Sequence, residues 1–558
     1  MSLAIPKVFG ALCPPPEQDR ETLLRPGRVR GCVEGRIVAS IPSGMSASIH
    51  LGPLDTCILL AYFTALASIG WWAARRARRS TADYFLAGRS IPWLVTTASF
   101  LATITSALTF VGTPAEGFKA DYGYLFSNVG DILAFFFVAS VFLPVYQRHG
   151  VTSIYELIGT RFGSEARTTC AGYFLISRML ASTVRIVAIA KVLEVVSGGS
   201  LSYSKCVFIT VGVILAYTTL GGGRAIAWTD LLQFALLVGG GLAALVYIVN
   251  LLPGGWGQMI ETGQHAIRPD GVEFNKFNFL EPLKPANLGL FFLMAVWGFF
   301  QSCAAYGTDQ DMAQRLLACN DPRKARWSLM LSSIGSAGIT FLFLTLGIAL
   351  YAYSKVDVAF IQGMKDSDHV FPRFIMHTMP DGLKGLLLAA VASAAMGSTD
   401  SALASLATSW VIDFHKPFFG KNDDEARCVM VSKIAFVVFG ALMALFALSV
   451  KNLDNLLWLG FRIVAFTYGP LLGAFAVAIL TDWRVPPRRL VALMLGITLS
   501  LLTLGVIAWT SAGHEGASVF WTGLHKTYWR FYVIFGALLV PLVCWFMREK
   551  DAEKGLAV

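Results

Sequence analysis

Apolar stretches long enough to cross a bilayer recur along the chain from Leu54 to Phe546, and no other feature restricts the fold as strongly. A spanning helix needs about 20 predominantly apolar residues. The stretches lie near 54–74, 91–112, 124–146, 168–198, 203–220, 226–252, 286–307, 327–354, 383–412, 428–450, 454–481, 487–511 and 528–547, about thirteen helices by hydropathy. Only helices and closed barrels satisfy their backbone in lipid, so the expectation is an all-α polytopic membrane protein. Charged residues make up 14% of the chain and hydrophobic ones 55%, against roughly 25% charged in soluble domains. A soluble enzyme, a coiled coil and a disordered chain are all excluded.

The 45 basic and 35 acidic residues leave a formal charge of +10. In a nucleic-acid binder that excess gathers on one face, whereas here it is scattered between apolar stretches, and no nucleic-acid partner is expected. Lys and Arg are retained on the cytoplasmic side. Alternate loops carry Arg75, Arg76, Arg78 and Arg79, then Arg148, Arg161 and Arg167, then Arg224, then Arg315, Arg323, Lys324 and Arg326, then Lys416, Lys421 and Arg427, then Arg484, Arg488 and Arg489, and finally the tail with Arg548, Lys550 and Lys554. This pattern predicts a multi-pass protein of the plasma (inner) membrane with the N-terminus outside and the C-terminus in the cytoplasm. Residues 1–50, rich in Pro and Arg, lack the apolar core of a signal peptide. Residues 1–44 are expected to be either a disordered tail or a non-native extension produced by a wrongly chosen start codon, with Met45 as the true start.

Nine cysteines lie far apart, with no CxxC pair and no metal-like His/Cys spacing, so they read as small membrane hydrophobes. No GxxxxGK[ST] loop is present, and no stretch outside the spans is long enough for a second folded domain. Active transport by such a chain must draw on an ion gradient.

Interrupted helices at membrane depth survive only where they line a wet or protein-filled cavity. The second span contains Ala102-Thr103-Ile104-Thr105-Ser106-Ala107-Leu108-Thr109, with Gly112 and Pro114 read as closing it. Five spans later, Gly298 to Gln310 is similarly small and polar, a separation that matches a five-plus-five inverted repeat. The ninth span holds Gly397-Ser398-Thr399-Asp400-Ser401, the hard oxygen ligands an alkali cation requires. Thr and Ser in such positions also simply knit helices together. Asp131, Arg185 and Asp230 stand within apolar spans, each costing about 2.5–3.5 kcal/mol at the bilayer centre, so each should face a cavity or a partner. An Arg185–Asp131 ion pair is the structural alternative to a substrate role. Arg178 shares a helix face with Arg185, and Arg462 lies near a span end, where snorkelling alone explains a charge.

Asp83-Tyr84-Phe85-Leu86-Ala87-Gly88-Arg89, Gly150 to Glu156 with Arg161-Phe162-Gly163, Tyr217 to Gly222 through Trp228-Thr229-Asp230, Tyr306-Gly307-Thr308-Asp309-Gln310 with Gln314-Arg315, and Ser398 to Leu403 together resemble the sodium:solute symporter family over residues 54 to 481. The resemblance implies a LeuT-like inverted-repeat core with one extra helix before it and two after. The corresponding division is an extension at 1–50, an extra helix and loop at 51–90, the first repeat at 91–252, an extracellular loop at 253–285, the second repeat at 286–481 and C-terminal helices at 482–558. It also implies a sodium site from the carbonyls of Ala102, Thr105 and Ala394 and the hydroxyl of Ser398, where the family's preceding hydroxyl residue is replaced by Gly397. A second sodium site would involve Asp230, Asp400 and Ser401. The substrate cavity would be lined by Ser106, Thr109, Asp131, Arg185, Gln301 and Tyr306, and an arginine where Arg185 stands is shared with sialic acid carriers. A cavity arginine suits bidentate capture of a carboxylate. With Asp131 it holds a zwitterion, or the two neutralise each other and leave a site for a neutral polyol.

The expected function is therefore sodium-coupled import of a small polar organic solute (a carboxylate, a zwitterion or a sugar-like molecule) by alternating access, with sodium as co-transported ion and no enzymatic activity. Proton coupling through Asp131, Asp230 and Asp400, an uncoupled cation pathway and a transporter-like sensor are the alternatives. The sequence names neither the solute nor the oligomeric state.

Overall fold

A computed structural model describes residues 52–76, 80–197, 200–268, 271–277, 288–364, 367–420, 423–451, 456–512 and 528–548. The expectations for residues 1–50, Arg78, Arg79, Lys421, Lys550 and Lys554 lie outside the described residues. The chain is helical almost throughout, with one two-stranded hairpin, β1 (Ala266–Ile267) against β2 (Glu273–Phe274).

The helices in chain order are α1 (Pro53–Arg76), α2 (Thr81–Leu86), α3 (Trp93–Ile104), α4 (Ala107–Lys119), α5 (Tyr122–His149), α6 (Tyr155–Phe162), α7 (Ser164–Val196), α8 (Tyr203–Leu251) and α9 (Gly255–Gln264). After the hairpin come α10 (Leu288–Gly307), α11 (Gln310–Leu317), α12 (Pro322–Val356), α13 (Val370–Thr378), α14 (Leu383–Phe418), α15 (Glu425–Ser449), α16 (Leu456–Leu480), α17 (Pro487–Ala512) and α18 (Phe531–Met547). Among the described residues nine helices are long and apolar enough to span a membrane, the pair α3–α4 adds a bent tenth, and three shorter apolar helices complete the set. The 203–220 and 226–252 stretches follow each other within α8 as two helical segments that meet at a non-helical Gly222 (φ 57°, ψ −158°). Only glycine takes this conformation cheaply, and a Cβ there would stand 2.5 Å from the Tyr84 carbonyl of α2.

Burial separates the core from the rim. The apolar part of α14 is 88% buried, whereas that of α17 is 17% buried and turns Leu499 outward. Exposed Trp327, Ile334, Leu499 and Phe546 are surfaces that only lipid solvates. Where helices cross closely, side chains are absent. Gly130 of α5 faces the Ala295 carbonyl of α10, and Gly298 of α10 faces the Ser127 carbonyl of α5, so the contact is glycine-lined from both sides, the small-residue packing used in membranes.

Two buried polar ties position the elements around the site. Asp55 of α1 accepts from the Gly382 and Gly385 amides at 2.7 Å each, so a carboxylate caps the positive end of α14. Lys276, fully buried after β2, donates to the carbonyls of Gly117 (3.1 Å), Phe118 (3.0 Å) and Ala120 (2.5 Å) at the end of α4. The loop following α8 is thus fastened to α4, the second half of the broken helix.

Candidate functional site

The break in the second span falls at Thr105, which ends α3 at φ −87°, ψ 80°. The Thr109 amide, which an unbroken helix would give to the Thr105 carbonyl, goes to the Ser106 carbonyl at 2.9 Å, and α4 leaves at 58° to α3. Gly112 and Pro114 do not close the span: α4 runs through both to Lys119. It is held by α12, whose Gly347 lies directly against the Pro114 carbonyl and Gly117. The seventh span also departs from expectation. Its polar stretch is continuous helix to Gly307, and the chain turns only at Thr308–Asp309. That turn is clamped by Tyr146, which donates to the Gly307 carbonyl (2.5 Å), and by Tyr155, which donates to the Thr308 carbonyl (3.0 Å).

Between these elements lies a cavity of about 170 Å³. All six expected substrate-cavity residues, Ser106, Thr109, Asp131, Arg185, Gln301 and Tyr306, line it, together with Trp297, Phe461 and Tyr468. The Arg185–Asp131 pair is not formed. Asp131 Oδ1 accepts from Ser302 Oγ at 2.6 Å, while Arg185 Nη1 reaches the other way, to the Ser398 carbonyl of α14 at 3.3 Å. A half-buried carboxylate and a half-buried guanidinium therefore face one cavity without neutralising each other. Gln301 Oε1 is buried there without a hydrogen-bond partner, an acceptor held ready for a ligand. The Tyr306 ring packs on Phe135 and Phe100, with centroids at 4.4 and 5.7 Å, and forms an apolar wall.

Thr105 and Ala102 at the end of α3 lie opposite α14, which packs on both α3 and α4. On α14, Ser398 Oγ donates to the Ala394 carbonyl at 3.2 Å, so the hydroxyl and the carbonyl expected to hold sodium stand together. Gly397 leaves a space that α8 fills. A Cβ at 397 would lie 2.5 Å from Gln233 Oε1 and 3.2 Å from Asp230 Oδ1, and both atoms are buried without hydrogen-bond partners. Gln233 carried no sequence signal beyond its place one turn after Asp230.

The residues expected for a second sodium site are placed differently from one another. Asp230 Oδ2 accepts from Ser99 Oγ at 2.6 Å and is ion-paired with Arg315. Ser401 Oγ donates to Asp311, and Asp400 Oδ1 accepts from the Ser401 amide at 2.5 Å. Arg178 is paired with Asp309 (3.4 Å) and with Asp311, and Tyr468 Oη donates to Asp309 at 2.9 Å. The result is a continuous buried chain of charge, Arg178–Asp309/Asp311–Arg315–Asp230, running from the cavity wall to α8. Arg315, expected among the cytoplasmic loop charges, is buried in this chain. The signal that existed was the spacing Asp309, Asp311, Arg315 within an otherwise loop-like polar run.

A broken helix, a cavity beside the break and oxygen-rich α14 packed against it define a helical membrane carrier. The comparisons place it more closely. The sodium:solute symporter family profile matches residues 84–484, and the chain belongs to that family. It is 30% identical over 432 residues to human sodium-coupled monocarboxylate transporter 1, covering 76% of this chain and 68% of that one. It is 27% identical over 457 residues to the human sodium/iodide cotransporter, covering 81% and 69%. Its fold matches a solved Na+-coupled sialic acid symporter in a substrate-bound outward-open state with a TM-score of 0.72 at 21% identity, covering 88% of this chain and 96% of that one. The protein is a multi-pass membrane symporter, not an enzyme, that couples sodium to a small polar organic solute by alternating access.

Proposed function

We propose that the solute is a small monoanionic carboxylate bearing a hydrogen-bond donor such as a hydroxyl. The observation that carries this reading is the unpaired Arg185 and Asp131 facing one cavity. Arg185 offers a planar fork to a carboxylate. The second oxygen of Asp131 and Gln301 Oε1 accept the donor. A cavity of about 170 Å³ favours a compact solute over an oligosaccharide. Relatives named for monocarboxylate, iodide and sialic acid transport all carry anions. A zwitterion is the second reading, favoured by the lack of any cationic partner for Asp131 among the described residues.

In this reading the thirteen apolar stretches are thirteen spans. α3 to α8 and α10 to α16 form the two inverted repeats, α1 precedes them, and α17 and α18 follow. The N-terminus is outside and the C-terminus cytoplasmic, which puts the Lys276 loop outside. Sodium sits between the Ala102 and Thr105 carbonyls of α3 and the Ala394 carbonyl and Ser398 hydroxyl of α14. Arg185 links the two sites because its guanidinium rests on the Ser398 backbone. Two unit charges about 4 Å apart repel by about 4 kcal/mol at an effective dielectric near 20. Sodium arriving beside Ser398 therefore drives Arg185 toward the cavity, where an anion relieves the repulsion, and the solute in turn favours sodium.

Uptake into proteoliposomes of lactate, serine and glucose, with sodium or with choline at fixed pH, tests this. Lactate-type uptake should require sodium and fall by about 10- to 100-fold in Arg185→Ala, the worth of a charge-assisted contact. Uptake dominated by glucose, with an apparent affinity unchanged in Arg185→Ala, would overturn the carboxylate reading.

A further inference from the structure

The hydroxyl residue that the family carries before Ser398 is missing from α14, and the space it would use is not empty. α8 packs along α14 in an antiparallel register that sets Gln233 opposite Gly397 and, two turns on, Gly240 against Ala390. A hydroxyl at 397 would sit one bond beyond its Cβ. Gln233 Oε1 lies 2.5 Å from that Cβ position, and Asp230 Oδ1 lies 3.2 Å from the same point. Both side chains are buried, and neither of these two oxygens accepts a hydrogen bond. Asp230 Oδ2 is taken by Ser99 and Arg315, which holds the carboxylate with Oδ1 toward the gap. The Tyr62 hydroxyl of α1, beside Gln233 and Ser393, donates to Met396 Sδ at 3.6 Å. Buried polar atoms are nearly always paired, and two acceptor oxygens aimed at one space are costly unless something positive lies between them.

We propose that Gln233 is a sodium ligand: its carboxamide oxygen supplies, from α8, the contact that α14 lacks at position 397, at the sodium site of Ala102, Thr105, Ala394 and Ser398. A carboxamide oxygen is a hard neutral ligand of the kind an alkali cation takes, and the Asp230 oxygen beside it adds negative potential at the ion. Glycine at 397 is what admits the longer side chain, since any Cβ there would displace Oε1. Packing alone does not account for Gln233, because a leucine would fill the volume without burying an unpaired Oε1 and Nε2. Sodium then bridges three helices, α3, α8 and α14, so its arrival orders the segment of α8 beyond Gly222 together with the broken pair α3–α4. The inference rests on the Ser398 site proposed above for the position of the ion.

The test is equilibrium binding of radioactive sodium to the purified full-length protein, without solute and with choline balancing the ionic strength. Gln233→Ala should bind sodium about 10-fold more weakly, the worth of one contact to a charge. Gln233→Glu keeps an oxygen and gives up the amide N–H, and should bind at least as tightly as wild type. In the Gln233→Ala background, Gly397→Ser should recover most of the affinity, whereas Gly397→Ala, which fills the space without an oxygen, should not. Should Gln233→Ala fail to fold, these two double variants, with the space refilled, carry the same comparison. Ser398→Ala tests the site itself and should lose affinity as well. Wild-type binding in Gln233→Ala with a loss in Ser398→Ala would overturn Gln233 as a ligand and keep the site, while wild-type binding in Ser398→Ala would overturn the site and the proposal with it. A loss in Gln233→Glu equal to that in Gln233→Ala would assign the role to the amide N–H, and equal recovery with alanine and serine at 397 would assign it to packing; either overturns the proposal.

Discussion

Single charges in apolar surroundings carry most of the information in this chain, and their partners decide what each one does. Asp131 and Arg185 were legible as costly intramembrane charges, and both face the cavity. Their failure to pair was not legible, because it depends on Ser302 and on the Ser398 backbone. Arg178 shows the reverse. Its seven-residue spacing from Arg185 suggested a shared face, but its side chain is committed to Asp309 and Asp311, at the start of α11. Removing one partner from a buried ion pair strands the other charge. Arg178→Ala is therefore expected to destabilise the protein by about 3–5 kcal/mol, read as a fall in the unfolding midpoint of the purified protein in detergent. A variant that melts like wild type would show that the network is solvated.

Elements were legible where hydropathy alone defines them and misread where packing overrides local signals. The break at Thr105 was expected from its run of hydroxyls, but Pro114 was expected to end the helix and does not, because α12 packs on that turn through Gly347. The seventh span was expected to be interrupted and is continuous to Gly307. Its small polar residues serve a glycine-lined crossing with α5 and one cavity wall. The fastening of the 253–285 loop to α4 had no local signature at all, since it depends on one lysine meeting three carbonyls from more than 150 positions away. Burial pushes the Lys276 ammonium down to about 7 from an ordinary 10.5, with Asp121 opposing. The folded state thus binds fewer protons than the unfolded state between about pH 7 and 10.5, and stability rises with pH through that window. Thermal midpoints taken at pH 7 and pH 9 should increase for wild type, and Lys276→Met should lack the increase. An equal slope in both would assign it to other groups.

At the scale of the whole molecule, the class was visible in the recurrence of apolar stretches and the family in ordered motifs, while the internal electrical arrangement was not. The buried polar chain from Arg178 to Asp230 sets the guanidiniums of Arg178 and Arg315 against the carboxylates of Asp309, Asp311 and Asp230. Its pairing of Arg315 with Asp230, and of Ser401 with Asp311, has a consequence measurable as current. Asp230 Oδ2 and the Ser401 hydroxyl are engaged by fixed partners while Asp230 Oδ1 is not, and on the proposed reading, in which only the Ser398 site fills, one sodium accompanies each turnover. One sodium with one monocarboxylate carries no net charge, and the membrane potential, worth about 2.3 kcal/mol per elementary charge at 100 mV, then does no work on the loaded carrier. Sodium-driven uptake in voltage-clamped vesicles should proceed without a solute-evoked current and at a rate independent of voltage. A zwitterionic solute or a second sodium would instead produce an inward current. On the proposed reading, Arg185, by choosing an anion as the solute, sets how strongly a cell's voltage can concentrate it.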